Sequence, residues 1–282
     1  MTIHEALQHM ESTLRSAGIP DPHTDTGLLL AHIVSLPRLT LPLYGIQELT
    51  TEQEQRLSSL LLLRASRKPL QYILGEQFFY GLPFFVDERV LIPRPETETL
   101  CELALNYLHS LPAPQVLDLC TGSGAIAVTL AHQCPKAAVT ACDLSEPALL
   151  VARSNAERHQ ARVSFLQGDL FLPVQGQRFH CIASNPPYIE SDACPGLQAE
   201  VLREPVMALD GGTDGLLYYR RIAREAAAHL EPGGLLCMEI GDTQGAAVCA
   251  LLAHTGQYMN IATHTDLSGR PRVVACHSAS PT

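Results

Sequence analysis

The tetrapeptide Asn185-Pro186-Pro187-Tyr188 follows an apolar run, residues 179–184, that has the pattern of a buried strand. Two consecutive prolines cannot continue a sheet ladder, because neither has a backbone N–H donor. They fix an extended turn that presents the side-chain carbonyl of Asn185, nearby backbone carbonyls and the ring of Tyr188. Two acceptors beside a flat ring suit a planar amide or amino group with two N–H donors. Because Asn-Pro also marks ordinary turns, the tetrapeptide alone leaves a purely structural role open.

A second candidate site is the segment 116–127, which has the pattern of a strand, a glycine-rich turn and the start of a helix. Glycines permit a tight turn and the close approach of a ligand to the backbone. The pattern therefore predicts a cofactor-binding loop, formed by Cys120, Thr121, Gly122, Ser123 and Gly124.

Acidic residues near this loop indicate which cofactor it binds. Asp143 lies about 20 residues further on, at the end of the second predicted strand, where a carboxylate commonly holds ribose hydroxyl groups. Asp118, inside the first strand, fits a pyrophosphate poorly and a cationic amino-acid group better, directly or through water. Asp169 and Leu170 follow the third strand, where an adenine edge is expected. The set favours S-adenosylmethionine, with S-adenosylhomocysteine as the product.

Composition limits the classes of function. The chain has 282 residues, a formal net charge of −10 and no run rich in lysine or arginine, which argues against binding to nucleic acid phosphates. The sequence has no signal-peptide pattern and no apolar run long enough for a membrane span, so we expect a cytoplasmic protein without membrane contact. Its nine cysteines include no Cys-x-x-Cys pair, and the histidines form no helical pair, so we predict no metal site. We also expect a monomer.

The order of predicted elements indicates two folded parts joined by a linker. Residues 1–75 have helical spacing of apolar residues, as in Ile3, Ala6, Leu7 and Met10, and predict a small helical bundle. Residues 76–95 predict a β-hairpin linker around Gly81. Residues 96–282 alternate strands with helices, which predicts an α/β, Rossmann-like domain with a doubly wound, mostly parallel sheet and an antiparallel closing hairpin. The predicted strands span 115–119, 138–143, 163–167, 179–184, 234–240, 261–265 and 272–276.

The cofactor loop, its acidic partners and the tetrapeptide resemble class I S-adenosylmethionine-dependent methyltransferases. Within that class, Asn-Pro-Pro-Tyr occurs in enzymes that methylate a planar nitrogen, either adenine N6 of DNA or a glutamine side-chain amide. Further stretches resemble the peptide chain release factor glutamine N(5)-methyltransferase (PrmC/HemK) family. They are residues 69–75, 91–98, 204–216, Glu239-Ile240-Gly241 with Gln244, and 266–269 with Arg272.

The resemblance implies a target and roles for the site residues. The target is the glutamine of the Gly-Gly-Gln loop in release factors, which the helical domain would grip. Asn185, Pro186 and Tyr188 are the expected catalytic residues: the Asn185 side-chain oxygen and the Pro186 carbonyl accept the two amide N–H bonds, and Tyr188 stacks on the amide plane. Pro187 and Leu91 complete the expected substrate site. Asn185 is also expected to contact the cofactor.

Several alternatives remain open at the level of sequence. A related enzyme methylates a glutamine of a ribosomal protein, but it tends to carry Pro-Arg-Ser-Pro where this chain has Pro93-Arg94-Pro95-Glu96. A DNA adenine methyltransferase would need a basic cleft for base flipping. A binding module without activity would not need Asn185 and Tyr188.

Four further residues stand out in the sequence. Cys120 stands where many relatives have glycine, so the backbone there must tolerate a Cβ atom, and no flanking basic residue marks it as a nucleophile. Arg94 and Glu98 have a structural alternative to a role in the site, as a salt bridge between the linker and the start of a helix. Glu204 could line the entrance for the target, or pack a loop.

Overall fold

The computed structural model describes residues 1–279 and divides into two compact units. The first consists of Met1–Glu76 with Gln198–Arg203, and the second of Gln77–Leu197 with the chain from Glu204 onward. The predicted division into a helical domain, a linker and a catalytic domain remains a prediction.

The first unit is helical. Its helices are α1 (Ile3–Ser16), α2 (Pro22–Val34), α3 (Thr51–Ala65) and α4 (Leu70–Leu74), and a 3₁₀ segment spans Arg38–Tyr44. Capping boxes at Thr2 and Thr50 satisfy the first backbone N–H groups of α1 and α3. The predicted apolar face of α1 is confirmed by the burial of Ile3, Ala6 and Met10.

An ion-pair network lies within this unit. The Arg64 side chain is only 6% exposed and donates to Asp25 at 2.7 Å and to Glu200 at 3.0 Å. Arg67 donates to the other oxygen of Glu200 at 2.8 Å. A buried guanidinium requires such partners, because an unpaired charge away from water is costly. Glu200 therefore belongs to the polar core of the helical unit although it comes late in the chain.

A two-stranded hairpin begins the second unit, as the sequence predicts. Strands β1 (Glu76–Phe79) and β2 (Leu82–Phe85) are joined by Tyr80 and Gly81, both with positive φ. Two left-handed residues between strands match the twist of a tight hairpin.

A seven-stranded sheet forms the centre of the second unit. Its strands are β3 (Gln115–Leu119), β4 (Ala138–Asp143), β5 (Val163–Gln167), β6 (Phe179–Ser184), β7 (Leu230–Glu239), β8 (Tyr258–Thr265) and β9 (Pro271–Ser278). The spatial order is β5-β4-β3-β6-β7-β9-β8. Strands β3 to β7 pair in parallel, whereas β9 is antiparallel to both β7 and β8. The predicted fold class is confirmed.

Helices cover both faces of this sheet. They are α5 (Glu98–Leu108), α6 (Ala125–Gln133), α7 (Glu146–Arg158), α8 (Leu217–Glu225) and α9 (Gly245–Thr255). Alternate residues of one strand point to opposite faces, so Val116 of β3 joins the core beneath α5 and α6, and Leu117 joins the core beneath α8 and α9. Burial on both faces explains the continuous apolar runs of these strands.

The bounds of the last three strands differ from the prediction: β7 ends at Glu239 rather than at residue 240, β8 begins at Tyr258 rather than at residue 261, and β9 spans Pro271–Ser278 rather than 272–276. Strand β7 begins at Leu230 rather than at residue 234, because Leu230 pairs with Phe179 and the register shifts between Phe179 and Cys181. This irregularity accommodates Pro232 and Gly233 inside the strand. A 3₁₀ segment, Ala226–His229, leads from α8 into the strand.

Within residues 1–279, no single helix is long and apolar enough to cross a membrane. The bent pair Pro22–Val34 and Arg38–Tyr44 reaches that length and composition only when taken together, at an angle of 75°.

Candidate active site

The site lies at the point in the sheet where the order of the strands along the chain reverses direction. The chain builds outward from β3 through β4 to β5, then returns to place β6 on the other side of β3. The carboxyl ends of β3 and β6 are therefore neighbours, with Leu119 paired to Ser184. In open α/β sheets this position forms a crevice in which ligands bind. The two predicted sites, the glycine-rich loop and the Asn-Pro-Pro-Tyr turn, begin at these two strand ends.

The glycine-rich loop uses its two glycines differently. Gly122 has a φ of +55°, and a Cβ atom there would meet no atom within 4 Å, so its backbone borders open space. Gly124 has a φ of +81° and caps the N-terminus of α6; a Cβ atom there would lie 3.0 Å from Cβ of Ala152 in α7. Gly122 therefore leaves room for a ligand, and Gly124 permits α6 to pack closely on α7.

Asp118 lies beneath this loop with no solvent exposure. Its Oδ2 accepts hydrogen bonds from the Thr121 hydroxyl at 2.6 Å and from the Ala127 N–H group at 3.2 Å, whereas its Oδ1 has no partner. Burial raises the pKa of Asp118 to about 7, and the hydrogen bonds from Thr121 and Ala127 oppose that rise. A buried carboxyl oxygen that accepts no hydrogen bond favours the approach of a cation or of a water molecule.

Asp143, at the end of β4, is fixed by the backbone around it. Its two oxygens accept the Gly122 N–H group at 2.8 Å and the Ser145 N–H group at 2.9 Å. Burial raises the pKa of Asp143, and these backbone hydrogen bonds act in the opposite direction. The carboxylate retains free lone pairs for further donors such as hydroxyl groups.

A pocket joins most of the predicted site residues. Those lining it are Leu91, Cys120, Gly122, Asp143, Asp169, Leu170, Asn185 and Pro187. Further lining residues that the sequence analysis did not predict are Arg89, Val90, Cys142, Leu144, Ser145, Ala148, Pro205, Met207, Ala208 and Tyr218. Most of these are apolar or stand on loops, where no local pattern marks them.

A second, adjoining pocket shares Leu91, Cys120, Gly122 and Asn185 with the first. It adds two more of the predicted loop residues, Thr121 and Ser123, together with Arg94, Thr97 and apolar neighbours. Asp118, Gly124, Pro186 and Tyr188 line neither pocket. Asp118 accepts a hydrogen bond from Thr121, Gly124 caps α6, and Pro186 and Tyr188 belong to the turn that carries Asn185.

The Asn-Pro-Pro-Tyr turn carries two free acceptors, and the first of its residues, Asn185, lines both pockets. Asn185 donates through its Nδ2 group to the hydroxyl of Thr97 at 3.4 Å. Among residues 1–279, no donor reaches Oδ1 of Asn185 or the carbonyl oxygen of Pro186. Both oxygens are therefore free to accept hydrogen bonds from a ligand.

Tyr188 faces the protein interior. Its hydroxyl group donates to Oε1 of Glu239 at 3.4 Å, and its ring packs against the core beneath α8 and α9. The loop that follows fits tightly on its backbone, because a Cβ atom at Gly211 would lie 2.7 Å from Cα of Tyr188. Its carbonyl oxygen accepts the side-chain N–H of Gln244 at 2.9 Å. The expected stacking role of Tyr188 remains a prediction.

Cys120 adopts a left-handed backbone conformation with a φ of +60°. This explains why glycine suits the position, since a Cβ atom is disfavoured in this region. Burial raises the pKa of the Cys120 thiol far above its ordinary value, and the charges of Asp143 and Asp118 add to the effect. The thiol form is inert as a nucleophile.

Glu204 connects two segments that border the pocket. Its carboxylate is buried and accepts the Ile92 N–H group at 3.0 Å as well as the Arg94 guanidinium group. These bonds hold the segment that carries Leu91 against the loop that carries Met207. Glu98 is not the partner of Arg94; it accepts the Tyr80 N–H group at 2.7 Å.

Metal-binding geometry is not found in the part of the chain from residue 1 to 279: no three side chains of histidine, cysteine, aspartate or glutamate converge there.

The crevice at the switch point, its glycine-rich loop and the carboxylate after β4 define a methyltransferase of the Rossmann-like type. Two family models agree, the PrmC N-terminal domain over residues 5–75 and the methyltransferase small domain over residues 97–217.

Similarity to known proteins shows which family of methyltransferases the chain belongs to. A release factor glutamine methyltransferase from Moorella thermoacetica is 42% identical over 274 residues, which cover 96% of this chain and 97% of that protein. The chain belongs to the release factor glutamine methyltransferase family, which confirms the resemblance seen in the sequence.

Solved structures share the fold at low identity. A methyltransferase from Pyrococcus furiosus has 18% identity and a TM-score of 0.52, covering 80% of this chain and 99% of that one. A 16S rRNA methyltransferase from T. thermophilus, solved with AdoMet and guanosine, has 19% identity and a TM-score of 0.52, covering 72% of this chain and 49% of that one.

Proposed function

We propose that the protein transfers a methyl group from S-adenosylmethionine to the side-chain amide nitrogen of the glutamine in the Gly-Gly-Gln loop of peptide chain release factors. The observation that carries this proposal is the pair of free acceptors on adjacent residues of the turn, Oδ1 of Asn185, which lines the cofactor pocket, and the carbonyl oxygen of Pro186. The release factor as substrate is supported by the full-length similarity to relatives of that name.

The residues of the pocket, with Asp118 bonded to Thr121 next to it, fit S-adenosylmethionine. The unpartnered Oδ1 of Asp118 suits the charge of the cationic amino-acid end, directly or through water. Asp143 offers lone pairs to ribose hydroxyl groups, and the open space at Gly122 admits the ligand close to the backbone. Asp169 and Leu170 border the same pocket and are proposed to contact the adenine. When bound, S-adenosylmethionine supplies an electrophilic methyl group.

The Asn-Pro-Pro turn is proposed to orient the glutamine amide. An amide nitrogen is a poor nucleophile, because its lone pair is delocalised into the carbonyl group. Two fixed acceptors hold its N–H bonds and so set the direction of the nitrogen. As the nitrogen gains positive charge, both acceptors bind it more strongly than they bind the neutral amide, which lowers the barrier. Leu91, which lines both pockets, is proposed to wall the amide site.

The proposal is tested by methyl transfer from labelled S-adenosylmethionine to purified release factor. We expect label on the wild-type factor and none on a factor whose loop glutamine is replaced. Asn185→Ala removes one of the two acceptors, so the rate should fall about 100-fold or more. Asn106→Ala, at an exposed position of α5, is the matched control and should keep full activity.

The competing substrates are included in the same assay. Label on ribosomal protein or DNA but not on the release factor would contradict the proposed substrate and leave the methyltransferase assignment standing. Binding of S-adenosylmethionine without transfer to any of them would contradict an enzymatic role. The predictions of a cytoplasmic monomer that binds neither nucleic acid nor membranes remain predictions.

A further inference from the structure

The Asn-Pro-Pro-Tyr turn has few main-chain contacts of its own. Pro186 and Pro187 have no N–H group, and among residues 1–279 no main-chain hydrogen bond reaches the carbonyl oxygen of either. The start of the turn is fixed by β6, where the Ser184 hydroxyl group donates to the Leu119 carbonyl oxygen at 2.9 Å. The positions of the two proposed acceptors therefore depend on what holds the other end of the turn, at Tyr188.

The side chain of Gln244 holds that end. Gln244 lies between the end of β7 and the start of α9. Its Nε2 group donates to the carbonyl oxygen of Tyr188 at 2.9 Å and to that of Gly215 at 3.3 Å. Its Oε1 accepts the N–H group of Gly241 at 3.0 Å. The NH₂ group and the oxygen of this amide are therefore both bonded to the main chain.

The orientation of the Gln244 amide follows from these main-chain partners. A backbone N–H group can only donate, and a backbone carbonyl oxygen can only accept. Gly241 therefore requires the amide oxygen on its side, and Tyr188 and Gly215 require the NH₂ group on theirs. In this one orientation the side chain joins three segments: the turn, the loop that ends at Gly215 and the segment after β7.

The three segments approach Gln244 closely. A Cβ atom at Gly215, where φ is +68°, would lie 2.4 Å from the Tyr188 carbonyl oxygen and 2.6 Å from Nε2 of Gln244. The loop that ends at Gly215 also lines the cofactor pocket through Met207 and Ala208. Gln244 itself lines neither pocket. It connects the turn to a loop that forms part of the pocket wall.

We propose that Gln244 is a positioning residue for methyl transfer, which fixes the turn at Tyr188 and thereby places the two proposed acceptors relative to the cofactor pocket. The inference rests on the proposed function, in which these two oxygens accept the N–H bonds of the glutamine amide. The rings of Pro186 and Pro187 fix φ at two residues of the turn, so a displacement at Tyr188 moves the acceptors instead of being absorbed between them.

Loss of the Gln244 amide should leave the fold intact. The segment after the turn is also held by Ile189, which donates to the Leu209 carbonyl oxygen at 2.9 Å and accepts the Gly211 N–H group at 2.7 Å. Neither bond involves Gln244, so the loop stays paired with this segment when the side chain is changed. The contact that is lost is the one nearest to the prolines, and we expect a displaced turn in a folded protein.

The first test compares Gln244→Met and Gln244→Glu with the wild type in the release factor assay at about pH 8, where glutamate is ionised. Methionine has a similar volume without the amide, and glutamate keeps an acceptor for the Gly241 N–H group but has no donor. We expect kcat to fall about 10-fold or more in both variants, with the Kd of S-adenosylmethionine changed less than about 2-fold in calorimetry. An unchanged kcat, or a Kd that rises as much as kcat falls, would overturn the proposal.

A control variant separates positioning from a loss of stability. Tyr258→Phe, on the edge strand β8, removes hydrogen bonds of 2.9 Å to the Ala223 carbonyl oxygen and 3.0 Å from the Ala227 N–H group. It should lower the free energy of unfolding in urea and leave kcat unchanged. A decrease in kcat as large as that of Gln244→Met would mean that stability alone explains both variants, and the proposal would fail.

A double variant tests whether Gln244 acts through the turn. In the Asn185→Ala background, Gln244→Met should lower kcat by a smaller factor than in the wild type, because one of the acceptors that it positions is already absent. Equal factors in the two backgrounds would overturn the proposal. If the wild type transfers no methyl group to release factor, the proposed function fails, whereas wild-type transfer that Gln244→Met does not change refutes this inference alone.

Discussion

Replacing Asp118 with asparagine should change how the stability of the protein depends on pH. We expect the Asp118→Asn protein to gain stability relative to the wild type as the pH rises from about 4 to about 7. Burial raises the pKa of Asp118 to about 7, so the folded protein retains a proton that the unfolded chain, with an ordinary value of 3.8, has already lost. In this range the folded state binds more protons than the unfolded state, and the wild type loses stability as the pH rises.

The size of the effect follows from the two pKa values. A rise from 3.8 to about 7 corresponds to about 4 kcal/mol, at about 1.4 kcal/mol for each pH unit. The loss is complete above about pH 7 and absent below the pKa of the unfolded chain. Glu239 contributes in the same direction, since burial raises its pKa to about 7. The wild type and the Asp118→Asn variant share that contribution, so the difference between their free energies of unfolding reports on Asp118 alone.

Urea unfolding followed by circular dichroism measures this difference. The free energies of unfolding of wild type and variant are compared at about pH 5 and about pH 8, where the difference should change by about 3 kcal/mol in favour of the variant. Asp242→Asn, at an exposed carboxyl group, is the matched control, and its difference from the wild type should not follow this trend. If the Asp118→Asn difference is the same at both pH values, the carboxyl group is not held protonated by burial, and the reasoning is refuted.

Other consequences of the site can be measured directly. Binding of S-adenosylmethionine near about pH 7 should release protons in the wild type but not in Asp118→Asn, because the cationic ligand favours the ionised carboxylate; calorimetry in buffers of different ionisation enthalpy measures this. Asn155→Leu removes three hydrogen bonds of 2.7 to 3.0 Å to the backbone of Phe85 and Ser123, and should lower the free energy of unfolding by about 3 kcal/mol or more in urea titration. Gly211→Ala should lower both stability and methyl transfer by displacing the Asn-Pro-Pro-Tyr turn, whereas Gly196→Ala, with no atom within 4 Å, should leave both unchanged.

Much of the fold was predictable because local and global signals agree. The bounds of β3, β4, β5 and β6 coincide with the predicted strands, since each is a short run rich in apolar residues and ended by polar or turn residues. The start of β7 was not predictable, because Pro232 and Gly233 have the pattern of a turn. They lie inside the strand only because Leu230 finds a pairing partner in Phe179.

The parts of the candidate site that residue type and spacing within the sequence define were predictable. The glycine-rich loop and Asp143 are marked by residue type and spacing, and the structure brings them to one pocket with Asn185. The hydrogen bond from the Tyr188 hydroxyl group to Glu239 was not predictable, because the two residues are 51 positions apart in sequence and meet only when β7 packs beside the turn after β6. Tyr218 lines the pocket from a helix whose pattern indicates nothing beyond an amphipathic surface.

The ion pairs of the helical unit have a consequence for synthesis of the chain. Glu200, which pairs with Arg64 across 136 positions of sequence, leaves the ribosome long after the helices it stabilises. Until then the buried Arg64 guanidinium group has Asp25 as its only carboxylate partner among the helical residues 1–76. Segments that appear first usually fold first during translation. Here the first unit in the sequence acquires its complete set of charges only when most of the second has been made, so a fragment that ends at residue 76 should be less stable than the same helices in the whole protein.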